Sequence, residues 1–242
     1  MEMLRFVEKK DKELGIETDM ATGTGWPFGG PWVPLSEAAC KAVFVDTIVD
    51  VKKKLMDINF TLPEKERNFA KLKVIKAYPV AGATKKKRVI ALYESRTRQM
   101  VKRAAPGGEG YVIDHFDSTA VAHYLAHIDS AFTASGTPFP HTFFNDSYEV
   151  YGANWTPTLL TEFENMHGYK LQDKFPEFLD GDAIVVSDYR ETLGEMLLHN
   201  FTEQWTAWAH KHGAITRNQA HGSPANLIDC YAAVDKIGRA HV

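Results

Sequence analysis

Residues 142–155, TFFNDSYEVYGANW, set carboxylates and amides among aromatic rings. An apolar run through Phe143 and Phe144 ends in Asn145, Asp146 and Glu149, with Tyr148, Tyr151 and Trp155 around them. A short β-prone run followed by a marked helix start is how a buried parallel strand delivers polar groups to the C-terminal rim of an α/β sheet or barrel. Carboxylates among rings suit a sugar. The rings stack on its apolar face, and the carboxylates serve as acid, base or hydroxyl acceptor.

Three other segments have the character of rim loops. Residues 21–33, ATGTGWPFGGPWV, carry four glycines and two prolines, which oppose regular structure and let backbone approach a ligand closely. This loop lacks the lysine of a phosphate cradle. With Trp26, Phe28 and Trp32 it reads either as an aromatic wall of a sugar pocket or as a rigid turn whose tryptophans fill the core. Residues 103–117 run from RAAPGGEG through a strand to Asp114 and His115, at a strand's C-terminal end. Asp117 or Ser118 is placed to cap the next helix. Residues 213–222, GAITRNQAHG, read as a strand and a polar loop holding Arg217, Asn218, Gln219 and His221.

The elements that must position these groups follow from periodicity and breakers. Residues 2–14 predict an amphipathic helix closed by Gly15, and residues 16–20 a short strand. Residues 36–56 have helical spacing behind Ser36 as a cap. Residues 60–100 are strand-like and read as a β-rich insertion in an αβ alternation. Thr156 and Pro157 look like a helix start ended by Gly168. A long helix is expected over 188–212, with Tyr189, Leu193, Met196, Leu197, Phe201, Trp205 and Trp208 as a core stripe. Another is expected over 225–234. His123 and His127 lie one turn apart, but no HExxH setting accompanies them.

The chain has 242 residues and a net charge of −3, enough for one large domain and no reason to expect nucleic acid or an anionic membrane. The Lys85–Arg88 run reads as a solvated turn between strands. No apolar run is long enough to span a bilayer. Cys40 and Cys230, the two cysteines, form no CxxC and indicate neither zinc nor a disulfide framework. The N-terminus shows no signal-peptide core. Residues 236–242 read as a translated sequencing adapter, which leaves 1–235 as the native segment.

DMATGTGWPFGGPWV, VKRAAPGGEGYVIDHFD, FFNDSYEVYGANWTP and NQAHGSPANLIDCYAAVD together resemble the α-L-rhamnosidases of glycoside hydrolase family 106, over nearly all of residues 13–235. The resemblance implies an α/β fold that is an incomplete (β/α)8 TIM-type barrel with the β-rich insertion, roughly five or six of eight strand–helix steps being present. It implies a bacterial, exported parent that removes terminal α-L-rhamnose from plant polysaccharides or glycosides with inversion. Glu149 matches the family's general acid. Partial desolvation beside Tyr148 and Tyr151 would favour its neutral form. Trp26, Asp114, His115, Asn145, Asp146, Trp155, Gln219 and His221 are the expected substrate-binding residues. The family also implies calcium near the sugar, with Asp146 and Asp114 as candidate ligands. An inverting enzyme needs a base roughly 6.5–9.5 Å from the acid. The family's base falls beyond the match to residue 235, so the segment alone is expected to be inactive. Two other readings stand beside this one: a carbohydrate-binding protein without turnover, and a metal-dependent hydrolase built on Asp114, His115 and His221.

Overall fold

The computed structural model describes residues 1–238. The described chain divides into two units, each assembled from separated stretches: residues 1–39, 98–151 and 193–238 form the first, and residues 40–97 and 152–192 the second.

In the first unit, helix α1 (Glu2–Leu14) stops at Gly15, which takes the left-handed conformation. Strand β1 (Asp19–Ala21) follows. Its neighbours in space come from far along the chain. The four-stranded parallel sheet has the order β1, β7 (Thr142–Asn145), β8 (Ile215–Asn218), β9 (Lys236–Ile237). Met20 pairs with Phe143, Phe143 with Thr216, and Arg217 with Lys236. The fold is thus a mixed α/β one, with four parallel strands among the described residues rather than the five or six steps expected. Lys236 and Ile237, expected to be foreign, pair as a strand; residues 239–242 of that expected adapter lie outside the described residues.

The sheet packs against helix α2 (Ser118–Ser135), a π-helical turn (Leu198–Glu203) and helix α6 (Gln204–Lys211). Asp117 caps α2, its carboxylate accepting from the backbone N–H of Thr119 and Ala120. Phe132, Phe143, Phe201 and Trp205 are buried at this face. The expected long helix over 188–212 is instead helix α5 (Ala183–Leu197), the π turn and α6. It starts early because Asp182 Oδ1 accepts from the N–H groups of Ile184 and Val185 at 3.1 Å each. Its stripe is buried as expected. The last helix, α7 (Leu227–Ala232), begins later than expected because Asn226 supplies the cap.

The glycine-rich loop 21–33 is more regular than its composition suggests. Strand β2 (Gly29–Gly30) pairs antiparallel with β6 (Tyr111–Val112). A Cβ on Gly29 would lie 2.3 Å from the carbonyl oxygen of Tyr111, and one on Gly110 would lie 1.9 Å from the carbonyl carbon of Gly30. These glycines serve backbone–backbone approach, which a side chain of any size would block.

In the second unit, strands β3 (Cys40–Asp50), β5 (Lys86–Arg96) and β4 (Lys71–Pro79) form an antiparallel sheet in that order. The helix expected over 36–56 is therefore a strand. Val43, Val45, Thr47, Ile48 and Val49 are β-branched, stiff at χ1 and better accommodated on a pleated surface than in a helix. The β-rich region accordingly begins at Cys40, not near residue 60. Helices α3 (Leu159–His167), α4 (Phe175–Leu179) and residues 183–192 of α5 belong to this unit. Pro157 does not open α3. Thr156 is buried and accepts a turn-closing bond from Leu159 N–H at 3.2 Å, so Thr158 takes the cap position. Gly168 ends the helix as expected. Phe44 packs on Phe175 and Phe178, and Val89 to Leu92 are fully buried. In the Lys85–Arg88 run, Lys85 and Lys86 are exposed, while Arg88 holds Asp46 and Asp180 by paired hydrogen bonds of 2.6–2.9 Å. No helix of the described residues is long and apolar enough to cross a membrane.

Replacing Gly110 by alanine should lower stability by about 1–3 kcal/mol through forced separation of β2 and β6. A urea titration followed by tryptophan fluorescence checks this, and an unchanged midpoint would show that the approach is not required.

Candidate active site

The C-terminal ends of β1 and β7 open on a cavity of about 180 Å³ lined by Ala21 to Trp26, Phe28, Phe144, Asn145 and Asp146. Trp26 is half-buried there, and the Arg103 guanidinium lies 5.8 Å from its ring centroid. Phe28 is held from behind by Phe201 and Trp205, edge-on at 5.0 and 5.7 Å between centroids. The Tyr124 hydroxyl ties the loop down, lying 2.8 Å from Thr22 O and 3.0 Å from Gly29 O.

Adjacent strand ends place the polar groups. Asn145 and Asn218 are register partners, and Asn145 Nδ2 donates to Asn218 Oδ1 at 2.9 Å. Gln219 N–H donates to Asn145 O at 2.9 Å, and Tyr148 N–H to His221 O at 2.7 Å. The two rim loops are therefore knitted through backbone. Ala220 between them has φ of +49°, a strained value for a residue with a side chain. Its N–H is bonded by Asn218 Oδ1 at 3.0 Å.

Glu149 does not stand as a desolvated acid. Its Oε2 forms an ion pair with Lys102 and lies 3.2 Å from the Tyr151 hydroxyl, while Oε1 accepts from Ser147 Oγ at 2.9 Å. Lys102, then Ser147, hold its carboxyl below the usual range. The expected shielding fails because Tyr148 turns its ring onto His115, at 5.2 Å between centroids, and Tyr151 is largely exposed. The neighbours thus favour the carboxylate, the reverse of what the sequence suggested.

Asp114 and His115 are buried at the end of β6, which is not a strand of the parallel sheet. Asp114 Oδ1 accepts from Phe116 N–H at 3.1 Å. His115 Nδ1 donates to Ile113 O at 3.0 Å, and burial pushes its pKa down to about 3. The buried Tyr148 hydroxyl has no hydrogen-bond partner among the described residues. Its pKa is pushed up by burial first and then by the Asp114 charge.

The structure thus gathers Trp26, Asn145 and Asp146 around the cavity, and joins Gln219 and His221 to that rim through backbone. Asp114, His115 and Glu149 are not among its lining residues. Trp155 lies in the second unit, 1% exposed, and its Nε1 donates to Glu94 Oε2 at 3.3 Å, so its ring faces are covered by protein. Two contributors were not proposed from sequence: Lys102 on Glu149, and Gln99 bonding the backbone of Glu149 and Tyr151. Neither left a signal in local spacing, since each meets its partner from about fifty residues away in the chain.

As for metals, the described residues hold one group of three or more His, Cys, Asp or Glu donors within 4.8 Å of one another, His167, Asp188 and Glu191, and it lies in the second unit. Asp114, His115 and His221 do not form such a group. His127 stacks on Trp32 at 4.3 Å, and His123 Nδ1 meets Glu37 at 2.8 Å, so these two histidines have separate partners.

A family model described as alpha-L-rhamnosidase, glycoside hydrolase family 106, matches residues 80–236. The chain belongs to this family. A curated relative from Formosa agariphila, named "Putative beta-glucuronidase", is 23% identical, the match taking in 98% of this chain and 26% of that protein. The solved structure of a rhamnosidase from Novosphingobium sp. PP1Y shares the fold with a TM-score of 0.57 at 23% identity, over 64% of this chain and 16% of that one. This member of the family therefore spans about a quarter of the curated relative it matches and less of the solved rhamnosidase.

Two outcomes follow from the electrostatics. Lys102→Met should raise the pKa of the Glu149 carboxyl, read by carbon-13 NMR of labelled glutamate; an unmoved titration would mean that Lys102 does not hold it. His115 binds its proton near 3 when folded and near its ordinary 6.5 when unfolded. The unfolded state therefore binds more protons in that window, and stability falls as pH drops from about 6.5 toward 3. His115→Phe should flatten that part of the stability–pH curve in urea titrations.

Proposed function

We propose that this chain is a section of the catalytic domain of a glycoside hydrolase that releases terminal α-L-rhamnose from plant polysaccharides or glycosides with inversion. The observation that carries this reading is the cavity at the C-terminal ends of β1 and β7, where one indole, one carboxylate and one amide converge, in a chain of the rhamnosidase family. Sugar sites combine a ring for the apolar face with a few oriented polar groups for the hydroxyls. We read the parallel sheet, with its strands in sequential order, as part of a (β/α)8 wall, where catalytic groups sit at strand C-termini.

In this reading Trp26 stacks on the sugar, and Asp146 and Asn145 bond its hydroxyls. Glu149 protonates the departing glycosidic oxygen. Since Lys102 stabilises its charged form, Glu149 must be freed from that pair before it gives a proton, and substrate binding between the two supplies the means. We assign the base to a carboxylate of the longer protein, outside this segment, so the segment by itself does not turn over. The family resemblance implies calcium near the sugar, with Asp114 and Asp146 as the candidate oxygen ligands, and no step is routed through it. Export of the longer bacterial protein belongs to the same reading.

In the full-length protein, Glu149→Gln should lower kcat for an alkyl rhamnoside by about 10²–10⁴. A dinitrophenyl rhamnoside, whose leaving group needs no proton, should lose far less. Equal losses on both substrates would remove Glu149 as the acid. Turnover of a β-glucuronide in preference to the α-L-rhamnoside would overturn the substrate. The ionised state of Glu149 favours a second reading, sugar binding without turnover; calorimetric rhamnose binding by a full-length protein that hydrolyses neither substrate would select it.

A further inference from the structure

We propose that His167, Asp188 and Glu191 form a binding site for one divalent transition-metal ion of the zinc type, in the second unit. His167 ends α3. Asp188 and Glu191 lie three apart on α5, on one helix face. One ligand atom from each lies within 4.8 Å of the others. Zinc with its ligands at about 2.0–2.2 Å needs them roughly 3.4 Å apart, so the three groups, with His167 Nδ1 and Asp188 Oδ2 now 3.9 Å apart, close further when the ion binds.

The hydrogen bonds behind the cluster say which atoms face it. The Thr192 hydroxyl spends its proton on the Asp188 carbonyl oxygen at 2.8 Å. Its oxygen lies 3.1 Å from His167 Nε2 and so must accept from that nitrogen. In the neutral ring, Nδ1 then carries a lone pair, 3.9 Å from Asp188 Oδ2. Two acceptors face each other across a gap too long for a hydrogen bond, and a cation resolves that opposition. Thr192 is buried, and Phe163 packs on the His167 ring at 4.8 Å, so the ring's orientation is fixed. Asp188 is oriented in turn by the Tyr169 hydroxyl, which donates to Oδ2 at 2.7 Å. A histidine whose distal N–H is bonded and a carboxylate held by a second residue are the usual support around metal ligands. No lysine or arginine of the described residues pairs with either carboxylate.

The donor set selects the metal class. One imidazole and two carboxylates suit zinc, cobalt or nickel. Calcium and magnesium take oxygen ligands. Water fills the remaining positions, and the ion clamps the end of α3 to α5.

The test is calorimetric titration of the 242-residue chain with zinc chloride, alongside cobalt(II) absorption spectra. The expected result is one saturable site, a rise in melting temperature with zinc but not with calcium or magnesium at equal concentration, and cobalt d–d bands. Glu191→Gln, at an exposed position, should weaken zinc binding at least tenfold, and Asp188→Asn, which keeps an acceptor for Tyr169, should do likewise. His167→Gln should abolish the cobalt bands. His199, flanked by Glu195 and Glu203 at 3.1 and 2.8 Å, is the competing zinc ligand, and His199→Gln should leave binding unchanged. Absence of a saturable site, affinity indifferent to Glu191→Gln and Asp188→Asn, or loss that follows His199 instead would each overturn the proposal.

Discussion

Parallel pairing of Thr142–Asn145 between two strands from distant parts of the chain is the constraint on which the rest of the first unit depends. Asp19, Thr142 and Ile215 share one level of the sheet although long loops separate them. Parallel strands cannot be joined by tight turns, so helices and loops must cross between them. Those crossovers put the polar segments after β1, β7 and β8 at a single edge. Alternation then decides the detail. Phe143 and Asn145, two apart, lie on the same face of β7: Phe143 packs among the buried helices, and Asn145, nearer the strand's end, meets Asn218. A one-residue slip would turn both side chains to the opposite face and break the Asn145–Asn218 contact.

Around this rim the two titratable groups of most interest are held in opposite ways. His115 is kept neutral by burial, with only a backbone carbonyl to satisfy Nδ1. Glu149 is kept charged by a lysine at partial exposure. Burial penalises charge wherever it falls, whereas an ion pair rewards it. An ion pair strengthens as water leaves it, so the Glu149 carboxyl gains proton affinity only where the distance to Lys102 grows.

Much of the site could be read from residue order. The polar run after Phe144, the glycine-rich loop with Trp26 and the Asn218–Gln219 segment were recognisable because a strand followed by polar residues is a local pattern. Helix ends at Gly15 and Gly168 were recognisable for the same reason, since a left-handed cap needs glycine nearby in sequence. Residues 36–56 misled. Helical spacing of apolar residues was present, but β-branched side chains and pairing with β5 over its whole length outweighed it. Trp155 misled differently: its neighbourhood in sequence is the rim, yet its ring is buried in the other unit against Glu94.

By itself the amino-acid sequence determined the α/β class, the rim segments, several caps and the rhamnosidase family, because each rests on short-range propensity or on a contiguous motif. Tertiary structure decided which groups meet. Lys102 and Glu149 stand 47 residues apart, and His167 reaches Thr192 across 25. Charge state and metal affinity depend on such partners through distance and desolvation, which vary with the path of the chain in space and leave no mark in local spacing.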